Sequence, residues 1–141
     1  MNGALCQPSG SEANRQMKRR NILILDPERD TGELFARALE ARKDCKCFVA
    51  SREEEVVNLL KEFSFDLLLV DMGMAMASGF SLIKRIRRII PRVVIVVDAY
   101  LHQQDQIVRA IESGASGHII KPIKVDEFRK KIDEFSLTAE A

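Results

Sequence analysis

The sequence predicts an α/β fold, a parallel sheet of five strands covered by helices on both faces. Three observations carry this. Five short apolar runs alternate with helical patterns. The runs Ile22–Leu25, Leu67–Val70 and Val93–Val97 are unbroken by polar residues, as in strands buried on both faces. Strands and helices in strict alternation require right-handed crossovers, which set the strands parallel. The 141 residues suffice for one domain with a real core. Hydrophobic residues make up 46% and charged residues 30%, a globular profile. A net charge of +1 leaves no overall field toward nucleic acid or membrane. No apolar run approaches a membrane span, and the N-terminus lacks a secretory h-region.

Residues 1–18 show no apolar period and are expected to form a flexible leader, with one domain over 19–137 and a tail at 138–141. Lys18-Arg19-Arg20 reads as the solvated approach to the first strand. That strand, Asn21–Leu25, ends at Asp26-Pro27, because Pro27 has no N–H for a ladder. A helix to about Arg42 follows, with Leu34, Phe35, Ala38 and Leu39 predicted inward. Cys45–Ala50 is less apolar and reads as a strand near an edge. Ser51 and Glu54 match a capping box, and Val56, Leu59, Leu60 and Phe63 then fall on one helix face. The third strand is Asp66–Val70, and Met72–Gly79 is expected to be a loop.

Leu82, Ile83, Ile86 and Ile90 mark the third helix, whose other face carries Lys84, Arg85, Arg87 and Arg88; Pro91 ends it. Val93–Val97, rich in β-branched residues, is the fourth strand. Gln103–Ser113 reads as the fourth helix, with Ile107, Val108 and Ile111 inward. Gly114 and Gly117 flank a turn into the fifth strand, His118–Ile120, which closes on Lys121-Pro122, an X-Pro bond able to adopt cis. Val125, Phe128, Ile132 and Phe135 define the last helix. Cys45 and Cys47 share a strand face, Cys6 falls in the leader, and no Cys or His spacing fits zinc. Free thiols in a reducing cytoplasm are expected.

Four polar residues close strands: Asp26, Asp71, Asp98 and Lys121. Parallel strands bring their ends to one edge, where open α/β sheets place their chemistry. Carboxylates about 4 Å apart repel by roughly 4 kcal/mol at an effective dielectric near 20. A hard divalent cation relieves such a cluster, and Lys121 supplies a point charge for a carboxylate or a phosphoryl group. Asp71 is then placed to act as a nucleophile. An Asp–Lys pair beside capping aspartates fits the same pattern.

Residues 21–136 resemble the receiver domain of two-component response regulators. The resemblance rests on Ile22–Asp26, Phe65–Asp71, Ser78-Gly79-Phe80, and Gly114–Pro122 with its glycines, lysine and proline in register. It implies a flavodoxin-like sheet in order 2-1-3-4-5. It implies that Asp71 accepts a phosphoryl group from a histidine kinase or phosphotransfer protein with Mg²⁺ bound. Lys121 would contact the phosphoryl group, and Asp26, Asp71 and the Gly73 carbonyl would hold the metal. Such a chain phosphorylates itself from a donor rather than turning over a substrate. Its output would pass through the fourth helix, fifth strand and fifth helix to a protein partner or a homodimer, with no direct contact to nucleic acid or membrane.

The chain departs from that pattern at several positions. The first strand of the family usually ends in two acids, but the second here is Pro27, which weakens metal binding; Glu28 offers a substitute carboxylate from a different backbone position. The fourth strand usually ends in Thr or Ser, and here Asp98 stands there, able to oppose the phosphoryl group, pair with Lys121 or replace a metal ligand. His118 occupies the aromatic switch position, and Ala75 replaces a loop proline. Two functions follow: a phosphorylated receiver in a phosphorelay, and a degenerate receiver that binds proteins without phosphorylation. A hydrolase using Asp71 as nucleophile lacks any base in the sequence.

Overall fold

The protein is described over residues 19–140 by a computed structural model. The expected leader and Cys6 lie outside the described residues. The elements are β1 (Arg20–Leu25), α1 (Arg29–Glu40), β2 (Cys45–Ala50), α2 (Glu53–Glu62), β3 (Leu67–Asp71), α3 (Met72–Ala77), α4 (Ser81–Ile89), β4 (Val94–Tyr100), a 3-10 helix (Leu101–Gln106), α5 (Ile107–Glu112), β5 (Gly117–Lys121) and α6 (Val125–Glu140). The strands pair in parallel in the order β2-β1-β3-β4-β5, the flavodoxin-like arrangement.

Alternation along the central strands builds two cores. Leu23 and Leu25, Leu68 and Val70, and Ile95 and Val97 pack with Val56 and Leu60 of α2, Leu82, Ile83 and Ile86 of α4, and Ile107 of α5. Ile22 and Ile24, Leu67 and Leu69, and Val94 and Val96 pack with Ala36 and Leu39 of α1 and Phe128 and Ile132 of α6. Each fully buried Leu or Ile contributes about 1.5–3 kcal/mol, so a three-strand centre apolar on both faces holds a helical layer on each side of the sheet. No helix among the described residues is long and apolar enough to cross a membrane.

Several local expectations change. Met72–Ala77 is a helix rather than a loop, because Asp71 itself caps it: Met74 N–H donates to Asp71 Oδ2 at 3.0 Å. The cap of α2 is moved by one residue, since Glu55 rather than Glu54 accepts from the N–H groups of Ser51 and Arg52. Leu34 is exposed, because α1 turns Gly32, Ala36 and Leu39 inward. A Cβ on Gly32 would stand 2.7 Å from Val49 Cγ1, so glycine permits this close approach. The fourth helix is a 3-10 turn followed by α5, whose inner face is Ile107 and Ala110; Val108 and Ile111 face solvent, as does Val125. Helix α6 continues to Glu140, past the expected start of a tail. Strand β4 runs beyond Val97 to Tyr100, because Asp98, Ala99 and Tyr100 still pair with Ile119, Ile120 and Lys121 of β5. The Lys121–Pro122 peptide is cis. Cys45 and Cys47 are free thiols, and burial pushes them up to about 11 and about 12.

Candidate functional site

Register sets the site. Leu25 pairs with Val70, Val70 with Val97, and Asp71 with Asp98. Asp26, Asp71 and Asp98 therefore stand in one row across β1, β3 and β4. Side chains alternate along a strand, so this row points to the side of the sheet that carries α1 and α6. One carboxylate oxygen from each lies within 4.8 Å of the other two. Lys121 pairs with Tyr100, two residues beyond Asp98 and on the same side. Its Nζ lies 3.1 Å from Asp71 Oδ1 and 2.6 Å from Asp98 Oδ1. The Asp98 contact is an ion pair without hydrogen-bond angles, whereas the Asp71 contact is a hydrogen bond.

The three acids differ in access. Asp26 is 3% exposed and Asp98 1%, whereas the Asp71 side chain keeps 14%. Asp26 Oδ1 accepts the Glu28 N–H at 2.9 Å, while Asp26 Oδ2 is buried without a partner. Burial pushes the Asp98 carboxyl up to about 7; Lys121 opposes that rise, and Asp71 and Asp26 add to it. Burial also raises the Asp26 carboxyl, against the Glu28 N–H and with the repulsion of Asp71. Burial alone disfavours the charge on Lys121, but Asp98 and Asp71 outweigh it and hold the ammonium above its usual range.

Three carboxylates against one ammonium leave two formal negative charges uncompensated. Carboxylate pairs at such separations cost about 3–4 kcal/mol each at an effective dielectric near 20. The donors are all oxygen, and one is orphaned, so the residues fit a hard divalent cation.

The positions named from sequence divide clearly. Asp26, Asp71, Asp98 and Lys121 come together. Gly73 lies beside them, where a Cβ would stand 2.9 Å from Asp71 Oδ2. Glu28 does not join: its side chain is exposed outside the carboxylate cluster, and it contributes its backbone N–H instead. A residue after Pro27 follows the turn into α1, and the row admits only what the strand register places in it. His118 is exposed. Tyr100 was not singled out in the sequence, yet Lys121 Nζ lies 4.5 Å from its ring centroid. Alternation from Asp98 places Tyr100 on the site's side, a signal hidden while the strand is ended at Val97.

A parallel doubly wound sheet with acids and a lysine at its exit edge defines a class, and comparison with known proteins gives the family. The sequence profile of the response regulator receiver domain matches residues 22–133. The chain belongs to the response regulator receiver domain family of two-component systems. It is similar to the chemotaxis protein CheY of Thermotoga maritima, 30% identical over 87 residues, 62% of this chain and 72% of that protein. It is also similar to the transcriptional regulatory protein CitT of Bacillus subtilis, 33% identical over 86 residues, 61% of this chain and only 38% of that protein. Among solved structures, a CheY-like receiver domain protein of Methanospirillum hungatei superposes with a TM-score of 0.78, covering 87% of this chain and 98% of that one at 20% identity. A two-component response regulator of Clostridium difficile gives 0.76, covering 87% and 100% at 22% identity. These structural likenesses bear on the fold.

Proposed function

We propose that the chain is a phosphorylatable receiver in which Asp71 takes a phosphoryl group from a histidine kinase or phosphotransfer protein in the cytoplasm. One observation carries this reading. Of three carboxylates in a row, the central one alone keeps solvent access, and it has a donor on each oxygen, Lys121 and Met74 N–H. In the transfer, an Asp71 oxygen forms the new bond to phosphorus while the phosphorus–nitrogen bond of the donor breaks and its electron pair stays on the imidazole. Lys121 sits where it can meet the phosphoryl oxygens as a point charge. Asp26, Asp71 and the Gly73 carbonyl would hold Mg²⁺, which offsets the charge of the transferring group when bound. The output face is α5, β5 and α6. Exposed Val108 and Ile111 of α5 support a protein partner or a second copy there.

The test is intact-mass analysis after incubation with acetyl phosphate and Mg²⁺, with Asp71→Asn as control. A labile phosphoryl adduct on the wild type and none on the variant is expected. No adduct at any Mg²⁺ concentration sinks the reading.

A second reading has its own observation. Lys121 lies closer to Asp98 than to Asp71, 2.6 against 3.1 Å, which suits a pair locked in one state and a binding module independent of phosphorylation. Asp98→Thr separates the two. It raises the adduct yield if Asp98 is an electrostatic block, and leaves a null yield null in a locked module.

A further inference from the structure

The three carboxylates are unequally served. Asp71 has donors on both oxygens. Asp26 Oδ2, on a residue 3% exposed, has none. Asp98, 1% exposed, meets one cation without hydrogen-bond geometry. Pairing with Lys121 accounts for the placement of Asp98. It does not account for the orphaned oxygen of Asp26 or for the charge left over.

We propose that Asp98 is a ligand of the divalent cation at this site, supplying the carboxylate that Pro27 cannot. The proposal rests on the receiver reading of the site. Register supports it, since Asp98 is the direct partner of Asp71 in the row and Asp71 stands next to Asp26. Reach supports it as well. Around one Mg²⁺, adjacent ligand oxygens stand about 3 Å apart and opposite ones about 4.2 Å. The three oxygens here lie within 4.8 Å of one another, so modest side-chain shifts bring them into that range. The ion would then be held across β1, β3 and β4, over the row itself.

The arrangement sets Lys121 and the cation on one carboxylate, that of Asp98. An ion bound there leaves Lys121 its other contact, Asp71 Oδ1. Cation binding therefore directs the ammonium to the acceptor carboxylate. Loading of the ion and readiness of Asp71 become linked through one lysine, because ion and lysine draw on the same carboxylate charge at Asp98.

Mn²⁺ is the probe, titrated into the full chain and followed by water-proton relaxation, which gives both affinity and the number of waters on the bound ion. Asp98→Asn is expected to weaken binding at least ten-fold and to add one bound water relative to the wild type. Loss of a nearby charge weakens binding even without ligation, so the water number decides. Weaker binding with an unchanged water number overturns the proposal, as does unchanged affinity. Lys121→Met removes the competitor and is expected to tighten Mn²⁺ at least ten-fold; unchanged affinity overturns the competition. Thermal melting without metal confirms that each variant folds. Acetyl phosphate labelling of the same samples keeps the two ideas apart. A wild type that binds Mn²⁺ through Asp98 but takes no phosphoryl group defeats the phosphoacceptor reading and leaves this one standing. A labelled wild type whose Asp98→Asn variant keeps its water number does the reverse.

Discussion

Where the strands enter the sheet, Arg20 lies 3.1 Å from Asp44 and 3.2 Å from Asp133, and Arg42 also meets Asp133. Where they leave it, three carboxylates cluster about one ammonium, Lys121, which meets two of them, Asp71 and Asp98. Burial works against the charge of Asp133, but hydrogen bonds from Arg42 and Arg20 outweigh it and hold that carboxyl below its usual range. The same force wins at Asp98, which rises to about 7. One cluster has a cation for each acid and stays partly open to solvent; the other is buried and short of positive charge. The difference teaches that the entry cluster is construction, tying β1 to α6, while the exit cluster holds buried like charge at a cost in stability, which the proposed cation would offset.

Removing one cation from each end gives the largest expected effect. Lys121→Met leaves buried carboxylates uncompensated and is expected to cost about 3 kcal/mol or more, as when one partner of a buried pair is deleted. Arg20→Met breaks partly exposed pairs and is expected to cost about 1 kcal/mol. Urea unfolding at pH 8 without metal measures both, and Mg²⁺ is expected to recover part of the Lys121→Met loss only. Equal costs at the two ends would break the comparison.

The two ends also answer pH with opposite signs. A carboxyl raised in the folded state holds its proton more tightly there than in the unfolded chain. Its contribution is full below the unfolded value near 4 and is lost as pH rises through about 7. Acidifying the metal-free protein from pH 8 to pH 5 is therefore expected to raise the urea midpoint through Asp98, with Asp26 acting in the same direction. Asp133 is lowered, so its contribution persists above about pH 4 and fades as pH falls further. Asp98→Asn flattens most of the rise between pH 8 and pH 5. Parallel profiles for wild type and variant would show that Asp98 carries no such strain.

Much of this was legible in the sequence, and the gaps have physical causes. Alternation of apolar runs and helical patterns announces the parallel sheet, and three strands closing on Asp, with the fifth strand closing on Lys121, announce the site. Membership of the cluster depended on register between strands, which no single stretch encodes. Glu28 and Asp98 were both candidate metal ligands; pairing of Asp98 with Asp71 brings it in, and the turn at Pro27 leaves Glu28 out. Helix α3 was missed because its cap is Asp71, already read as chemistry. Tyr100 was missed because β5 prolongs β4 beyond its β-branched core. Leu34 faces solvent because Gly32, a residue with no side chain to count, leads the inner face of α1.

A third acid asks whether the edge or the shortage of donors defines the site. Glu55 also lies near the exit edge, just after β2, and Glu54 beside it hid the phase of the cap. Glu55 accepts from Ser51 N–H, Ser51 Oγ–H and Arg52 N–H and pairs with Arg29. The Ser51 N–H is the chief reason its carboxyl is held below the usual range. A well-supplied acid should be costly to neutralise and an under-supplied one cheap. Glu55→Gln is expected to destabilise by about 1 kcal/mol, the usual worth of a helix cap, and Glu54→Gln by a few tenths at most. Asp98→Asn without metal at pH 8 is expected to be neutral or stabilising, since it removes a buried charge. If Glu55→Gln proved as harmless as Asp98→Asn, the supply of donors would no longer separate structural acids from the site, and the contrast between the two clusters would reduce to burial alone.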